Sequence, residues 1–266
     1  MKIKKLMFKI LPIFLLLSQV FYAQNITQKL DAATKDLLAS APAYSAQLSV
    51  YVADESGHCI FEYSRSQGLS TASTQKIFTA AAALEILGKN YQYTTTANYS
   101  GIISNGNLTG NLYIKSNGDP TLGSWRYENY KPENFKQKLI ATLKEKGISK
   151  ISGDVVIDDS YFDFQTTPGG WPWNDMGNYY GAGVWGVNWR ENQFDLTMNG
   201  KEMKGSNVDL QELQWVNKLK TGGSSDQSLI YTAPYSNVAY INGTLPAKTL
   251  TLSGATPNPP LTFGSD

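Results

Sequence analysis

Ser73 and Lys76 are the residues of this chain whose types and spacing suggest catalysis. Residues three apart on a helix are separated by about one turn, so the hydroxyl and the amine lie on one face. A serine hydroxyl becomes a strong nucleophile only when a nearby base removes its proton. The partial positive charge of a helix N-terminus and burial among apolar neighbours both disfavour the charged form of Lys76. The same helix end would stabilise the oxyanion formed when Ser73 attacks a carbonyl carbon.

The surrounding sequence predicts a hairpin followed by a helix that carries the serine at its tip. Residues 47–53 and 59–63 have the alternating pattern of two strands joined by a turn. Ser70 and Thr71 can cap the helix, and Gly88 stands where a C-cap is expected. The run of four alanines between them is typical of a helix buried within a domain.

The histidine and cysteine content disfavours two other common kinds of site. The single histidine, His58, is predicted to lie in the hairpin turn, next to the single cysteine, Cys59. This composition therefore disfavours a Ser-His-Asp triad and a zinc site with several His and Cys ligands. We interpret His58 as a solvated turn residue and Cys59 as a small apolar strand residue, which leaves Lys76 as the candidate base.

The N-terminus predicts an exported, periplasmic protein. Four lysines precede an apolar stretch at 10–20 that is short for a membrane span, so residues 1–23 resemble a signal peptide. An uncleaved N-terminal anchor is the alternative; after cleavage we expect no membrane span. Removing residues 1–23 takes four of 23 basic residues and none of 22 acidic ones, leaving 19 against 22, a net charge of −3. That balance gives no reason to expect nucleic acid as a partner.

The sequence beyond Gly88 is β-rich. Helices are predicted at 132–146 and 210–220, and strands at 93–99, 108–114, 154–158, 229–232, 238–241 and 249–252, with a turn at 105–107. We interpret Asp158 and Asp159 as hydrogen-bonding groups at a strand end, not as an acid–base pair. Four of the six tryptophans lie between Trp171 and Trp189. They could form a stacking surface for sugar rings, but we favour a role in the core.

Five strings, in this order, resemble the D-alanyl-D-alanine carboxypeptidase/endopeptidase family of class C low-molecular-mass penicillin-binding proteins. The resemblance spans roughly residues 45–260, and the Ser-x-x-Lys spacing of Ser73 and Lys76 is part of it. The strings are Ala72–Lys76, Gly118–Leu122, Gly153–Phe162, Gly170–Asp175 and Asn188–Asn192.

The resemblance implies an α+β fold. Residues 24–96 would be the N-terminal part of a catalytic domain like that of penicillin-binding proteins and β-lactamases, a serine transpeptidase domain with a hairpin and a central helix. Residues 97–266 would be a β-rich inserted region, which could form two subdomains. Ser73 would attack the D-Ala-D-Ala bond of peptidoglycan stem peptides, and Lys76 would accept its proton. β-Lactams would inhibit by acylating Ser73, and the family needs no metal or organic cofactor.

The sequence departs from the family in its later motifs. It contains no Ser-x-Asn string, and we interpret Lys220-Thr221-Gly222 as the capped end of the helix predicted at 210–220 rather than as the Lys-Thr-Gly motif. The chain therefore resembles the N-terminal part of a longer protein, and by itself we expect it to be a poor catalyst and unstable.

Two alternative functions remain open from the sequence. A serine β-lactamase would use the same nucleophile on another substrate, although the long β-rich segment after the helix argues against it. A non-catalytic module that binds the cell wall would use the aromatic stretch between Trp171 and Trp189 as its surface.

Overall fold

The computed structural model describes residues 26–43 and 45–266. The chain divides into two units, with the boundary between Asn90 and Tyr91. The signal peptide predicted at 1–23 lies outside the described residues, and the assignment of 24–96 and 97–266 to two functional regions stays a prediction. Among the helices that the structure describes, none combines the length and the apolar character needed to cross a membrane.

The first unit consists of two helices and a two-stranded antiparallel sheet in its described part. The predicted hairpin is confirmed. The carboxylate of Asp54 closes its turn by accepting hydrogen bonds from the amides of Ser56 and His58, at 2.9 and 2.8 Å. The His58 side chain is 83% exposed, as a solvated turn residue should be. The elements are α1 (Ile26–Ala39), β1 (Val50–Ala53), β2 (Cys59–Tyr63) and α2 (Gln75–Leu87).

Helix α2 ends as predicted but is not buried. Gly88 adopts a φ of 79° and its amide donates to the carbonyl of Leu84, which closes the last turn. No residue of α2 is buried, and Ile77, Phe78 and Ile86 are 69%, 73% and 80% exposed. The expectation of a buried helix is therefore wrong for this structure, because the sheet described in this unit has only two short strands that could cover the helix.

The second unit contains three helices and twelve strands in the described part of the chain. The helices are α3 (Pro132–Glu145), α4 (Trp173–Met176) and α5 (Pro259–Ser265). The strands are β3 (Thr95–Tyr99), β4 (Ile102–Ser104), β5 (Asn107–Thr109), β6 (Leu112–Ser116), β7 (Lys150–Ser152), β8 (Val155–Asp158), β9 (Gln193–Asn199), β10 (Glu202–Ser206), β11 (Gln214–Thr221), β12 (Leu229–Tyr231), β13 (Val238–Leu245) and β14 (Thr249–Ala255). They form four three-stranded sheets, in the orders β3-β6-β8, β4-β5-β7, β10-β9-β14 and β11-β13-β12.

The turn predicted at 105–107 is confirmed and joins β4 to β5. Asn105 and Gly106 have positive φ values of 48° and 80°, as a tight hairpin turn requires. The single strand predicted at 108–114 is wrong, since it breaks at Gly110. A Cβ atom at Gly110 would lie 1.9 Å from the carbonyl oxygen of Ser100, so this close backbone approach separates β5 from β6.

The helix predicted at 210–220 is also wrong, because residues 214–221 form β11. This strand pairs in parallel with β13, from Gln214 opposite Val238 to Thr221 opposite Leu245. Leu219 is buried in the core between the sheets, so pairing with a distant strand outweighs the local helical pattern. Lys220 and Thr221 therefore end a strand, and their interpretation as the end of a helix is wrong.

Two hydrophobic clusters form the core of the second unit. One lies beneath β9, β13 and β14 and includes Phe194 and Ile241. The other joins β6 to α5 and includes Trp189 and Phe263, whose ring centroids are 4.9 Å apart. Trp185 and Trp189 are each 2% exposed, which confirms the predicted core role for two of the four clustered tryptophans; Trp171 and Trp173 are exposed.

Candidate active site

The structure brings the two predicted site residues together. Ser73 lies in a short 3-10 helix, Ala72–Thr74, and Lys76 lies in the first turn of α2, which follows directly. The Lys76 amine donates a hydrogen bond of 2.9 Å to the Ser73 hydroxyl oxygen. Among the described residues, the Lys76 amine alone forms a hydrogen bond with that oxygen. The pair therefore has the geometry for proton transfer between a hydroxyl group and an amine.

The backbone before Ser73 is strained. Ala72 has a φ of 45°, in the left-handed region that side chains with a Cβ atom rarely adopt. The predicted caps do not act through their side chains on the backbone: Thr71 makes no side-chain cap, and its hydroxyl instead lies 3.3 Å from the Gln75 side-chain oxygen. Backbone strain of this kind is often found where a residue must be held in one position for function.

The electrostatic setting of Lys76 matches the sequence argument only in part. No acidic side chain lies in the first turn of α2 or in the preceding 3-10 helix, so nothing there neutralises the positive end of the helix. The expected burial is missing, however, because Ser73 and Lys76 are both exposed.

The carboxylates at the end of β8 have structural roles, as predicted. Asp158 accepts a hydrogen bond of 3.0 Å from Lys115, which pairs with it in the register of β6 and β8. Hydrogen bonds from Ser160, with Lys115 next in size, lower the pKa of Asp158 to about 2. Asp159 accepts a bond of 2.8 Å from the amide of Val187, and burial raises the pKa of its carboxyl.

Sequence reasoning missed an unusual turn in the second unit. Arg190, Glu191 and Asn192 have consecutive φ values of 51°, 55° and 56°, although left-handed residues normally occur singly. The Glu191 carboxylate accepts hydrogen bonds from the Ser124 hydroxyl at 2.6 Å and from Arg126 Nε at 2.9 and 3.0 Å. Asn192 was the available signal, since asparagine tolerates this backbone region better than most residues.

The described residues offer no set of side chains arranged as metal ligands. They contain no group of three or more His, Cys, Asp and Glu side chains arranged to hold an ion. His58 and Cys59 are both exposed, and Nδ1 of His58 lies 3.3 Å from the Asp54 carboxylate.

Residues 28–259 match the D-Ala-D-Ala carboxypeptidase 3 (S13) family. The chain belongs to this family. It is 36% identical over 151 residues to the D-alanyl-D-alanine carboxypeptidase DacB of Haemophilus influenzae, which covers 57% of this chain and 30% of that protein. It is 28% identical over 200 residues to the D-alanyl-D-alanine carboxypeptidase of Actinomadura sp. strain R39, covering 70% of this chain and 36% of that protein. The chain spans about a third of the length of these curated relatives.

Solved structures agree with this membership. Penicillin binding protein 4 (dacB) from Haemophilus influenzae matches with a TM-score of 0.59 and 30% identity, over 77% of this chain and 45% of that one. The same protein in complex with a β-lactam matches with a TM-score of 0.54 and 29% identity, over 77% and 43%. The resemblance and the mixed α+β fold class inferred from the sequence are thus confirmed.

Proposed function

We propose that this protein acts as a serine D-Ala-D-Ala peptidase on peptidoglycan stem peptides, with Ser73 as nucleophile and Lys76 as base. The observation that carries the proposal is the 2.9 Å hydrogen bond between the Lys76 amine and the Ser73 hydroxyl, in a chain of the S13 family. Both side chains come from one turn of chain at the start of α2, which is where the family string Ala72–Lys76 placed them.

The proposed reaction has two steps. The neutral amine of Lys76 accepts the Ser73 proton while the hydroxyl oxygen attacks the carbonyl carbon of the D-Ala-D-Ala bond. The carbon–nitrogen bond then breaks, the proton passes to the departing D-alanine amine, and an ester to Ser73 remains. Water hydrolyses that ester, which frees the shortened peptide and restores the serine hydroxyl.

The partial positive charge at the start of α2 supports this chemistry, because it stabilises the negative oxygen that forms in each step. Because Ser73 and Lys76 are exposed here, the proposal also requires groups that cover α2 and exclude water during the reaction. The lysine-rich, apolar sequence at 1–23 supports a periplasmic location, where such a substrate is available.

Covalent labelling tests the nucleophile. We would treat the protein, purified from the cells that make it, with penicillin and measure the intact mass with time. A stable mass increase equal to one penicillin, absent in Ser73→Ala and retained in Ser70→Ala, is the expected result. No adduct on the unsubstituted protein, or an equal adduct on Ser73→Ala, would contradict the proposal. An adduct that forms and disappears within seconds would instead indicate a serine β-lactamase.

Peptide hydrolysis tests the substrate. Free alanine of either configuration would be measured after incubation with a stem pentapeptide ending in D-Ala-D-Ala, and with a matched peptide ending in L-Ala-L-Ala. Release from the first peptide alone, abolished by Ser73→Ala, is expected. Equal release from both peptides would show that the site does not recognise the D-configuration.

A further inference from the structure

An aromatic cluster is exposed on the surface of the second unit. Trp173, at the start of α4, has its ring centroid 4.9 Å from that of Tyr231 and 5.8 Å from that of Tyr240. Tyr231 and Tyr240 are directly paired across β12 and β13. Trp173 is 50% exposed and Tyr240 is 41% exposed, so these large rings present much of their surface to solvent. The cluster contrasts with Trp185 and Trp189, which are buried.

The backbone holds this cluster in place. Gly177 ends α4 and approaches β12 so closely that a Cβ atom on it would lie 2.1 Å from the carbonyl oxygen of Ile230. The carbonyl of Gly177 also accepts a hydrogen bond of 3.0 Å from the amide of Ala255 in β14. The indole of Trp173 is therefore fixed over the sheet by tertiary contacts, and ordering it on binding would cost little entropy.

Two lysines continue the same sheet face. In β11, Lys218 and Lys220 are exposed on either side of the buried Leu219, so both point away from the core. The parallel register places Val216 opposite Tyr240, Lys218 opposite Asn242 and Lys220 opposite Thr244. Strands β11, β12 and β13 contain no aspartate or glutamate. The outward face thus runs from an aromatic end to a basic end without a carboxylate on its strands.

We propose that this aromatic–basic face, formed by Trp173, Tyr231, Tyr240, Lys218 and Lys220, binds glycan strands of peptidoglycan from which the stem peptides have been removed. A sugar ring stacks on the exposed indole and phenol rings, and the lactyl carboxylates freed by that removal pair with the two lysines. The polymer's identity rests on the proposed function; the surface itself is independent of Ser73.

The composition of the face favours a carboxylated polysaccharide over other partners. Lysine is depleted at the centre of protein–protein interfaces, where these two lysines would have to be buried. Aromatic rings with lysines can also bind single-stranded nucleic acid. The net charge of −3 after removal of residues 1–23 and the export signal argue against that partner.

Binding of peptide-free glycan strands, which carry a free lactyl carboxylate on alternate sugars, provides the test. Their affinity would be measured by titration calorimetry at low and high salt. Trp173→Ala should weaken binding by about tenfold or more, as expected for an aromatic anchor, while Trp173→Phe should restore most of it. Trp171→Ala is the matched control, since Trp171 is 40% exposed and should leave affinity unchanged.

The contribution of the two lysines is measured separately, through the salt dependence of binding. The double variant Lys218→Gln, Lys220→Gln should weaken binding to glycan strands and remove most of its salt dependence. Oligomers of N-acetylglucosamine, which have no carboxylate, should bind more weakly and equally well to this variant and to the unsubstituted protein. Both substitutions are at exposed positions, so folding should be unaffected.

Three results would overturn the proposal that the aromatic–basic face binds glycan strands. They are no measurable binding of glycan strands, equal binding by Trp173→Ala, and tighter binding of the free stem peptide or of single-stranded DNA than of the glycan. Penicillin labelling of the same preparations separates this proposal from the proposed function. Labelling without glycan binding would overturn the surface alone, and glycan binding without labelling would overturn the serine mechanism alone.

Discussion

The side-chain amide of Asn192 donates a hydrogen bond of 2.6 Å to the side-chain oxygen of Asn188. Both asparagines are 5% exposed. Asn192 also donates to the carbonyl of Gly183 at 2.9 Å and accepts from the amide of Trp189 at 3.1 Å. These bonds hold the left-handed turn at 190–192 in a backbone conformation that it would otherwise not favour.

Asn192→Ala should therefore be strongly destabilising. We expect the free energy of unfolding to fall by about 3 kcal/mol, because buried partners lose their hydrogen bonds. Asn192→Gly should cost about 1 kcal/mol less, since glycine adopts a φ of 56° without steric cost. Urea unfolding followed by tryptophan fluorescence measures both variants. Equal losses for alanine and glycine would show that the left-handed backbone at this position carries no strain.

Replacing Lys76 tests the base directly. Lys76→Met leaves the serine without the amine that lies 2.9 Å from it, so the rate of acylation by penicillin should fall by about 10²–10⁴-fold. Lys76→Arg should be nearly as slow, because a guanidinium group stays charged and cannot accept the proton. The matched control is Lys89→Met, one residue beyond the glycine cap of α2. A rate within about threefold of the unsubstituted protein for Lys76→Met would contradict the assignment of the base.

Acid should weaken the contact between β6 and β8. The pKa of Asp158 is lowered to about 2 in the folded protein, chiefly by Ser160 and then by Lys115. The usual value for an unfolded aspartate is about 3.9. The carboxylate therefore contributes stability above pH 4 or so, and this contribution is lost as the pH falls from about 4 to about 2. Because the side chain is 35% exposed, solvent screening limits the contribution to about 1 kcal/mol or less.

Unfolding free energies of Asp158→Asn and the unsubstituted protein, measured between pH 2 and 7, check this expectation. The difference between the two should be constant at neutral pH and should shrink toward zero in the acid range. A difference that stays constant down to about pH 2 would mean that Asp158 has no lowered pKa.

The exposure of α2 leads to a prediction about stability. Ile86 is 80% exposed, so Ile86→Lys should change the free energy of unfolding by less than about 0.5 kcal/mol and should reduce self-association. Leu139→Lys in α3 is the comparison, since Leu139 packs against the core cluster that contains Trp189 and should cost about 2 kcal/mol or more. Equal costs for the two changes, measured by urea unfolding, would show that α2 is covered in the free protein.

Local sequence was sufficient for some elements and for the site pair. Ser73 and Lys76 are three residues apart, so their contact depends only on a helical turn, which the residues from 70 to 88 specify themselves. The turn at Asn105 and Gly106 and the end of α2 at Gly88 depend likewise on the conformations that asparagine and glycine tolerate. Each of these predictions needed no information from distant parts of the chain.

The remaining features depend on contacts between residues far apart in sequence. Residues 214–221 form a strand because β13, which begins at Val238, offers a hydrogen-bonding edge that no local pattern reveals. Four clustered tryptophans look alike in sequence, yet packing buries Trp185 and Trp189 and leaves Trp173 over the sheet. The sequence by itself determined the contact between Ser73 and Lys76, because residues three apart in consecutive helical turns lie close together. Only the tertiary structure decided which surfaces are covered, because burial depends on what the rest of the chain brings to each face.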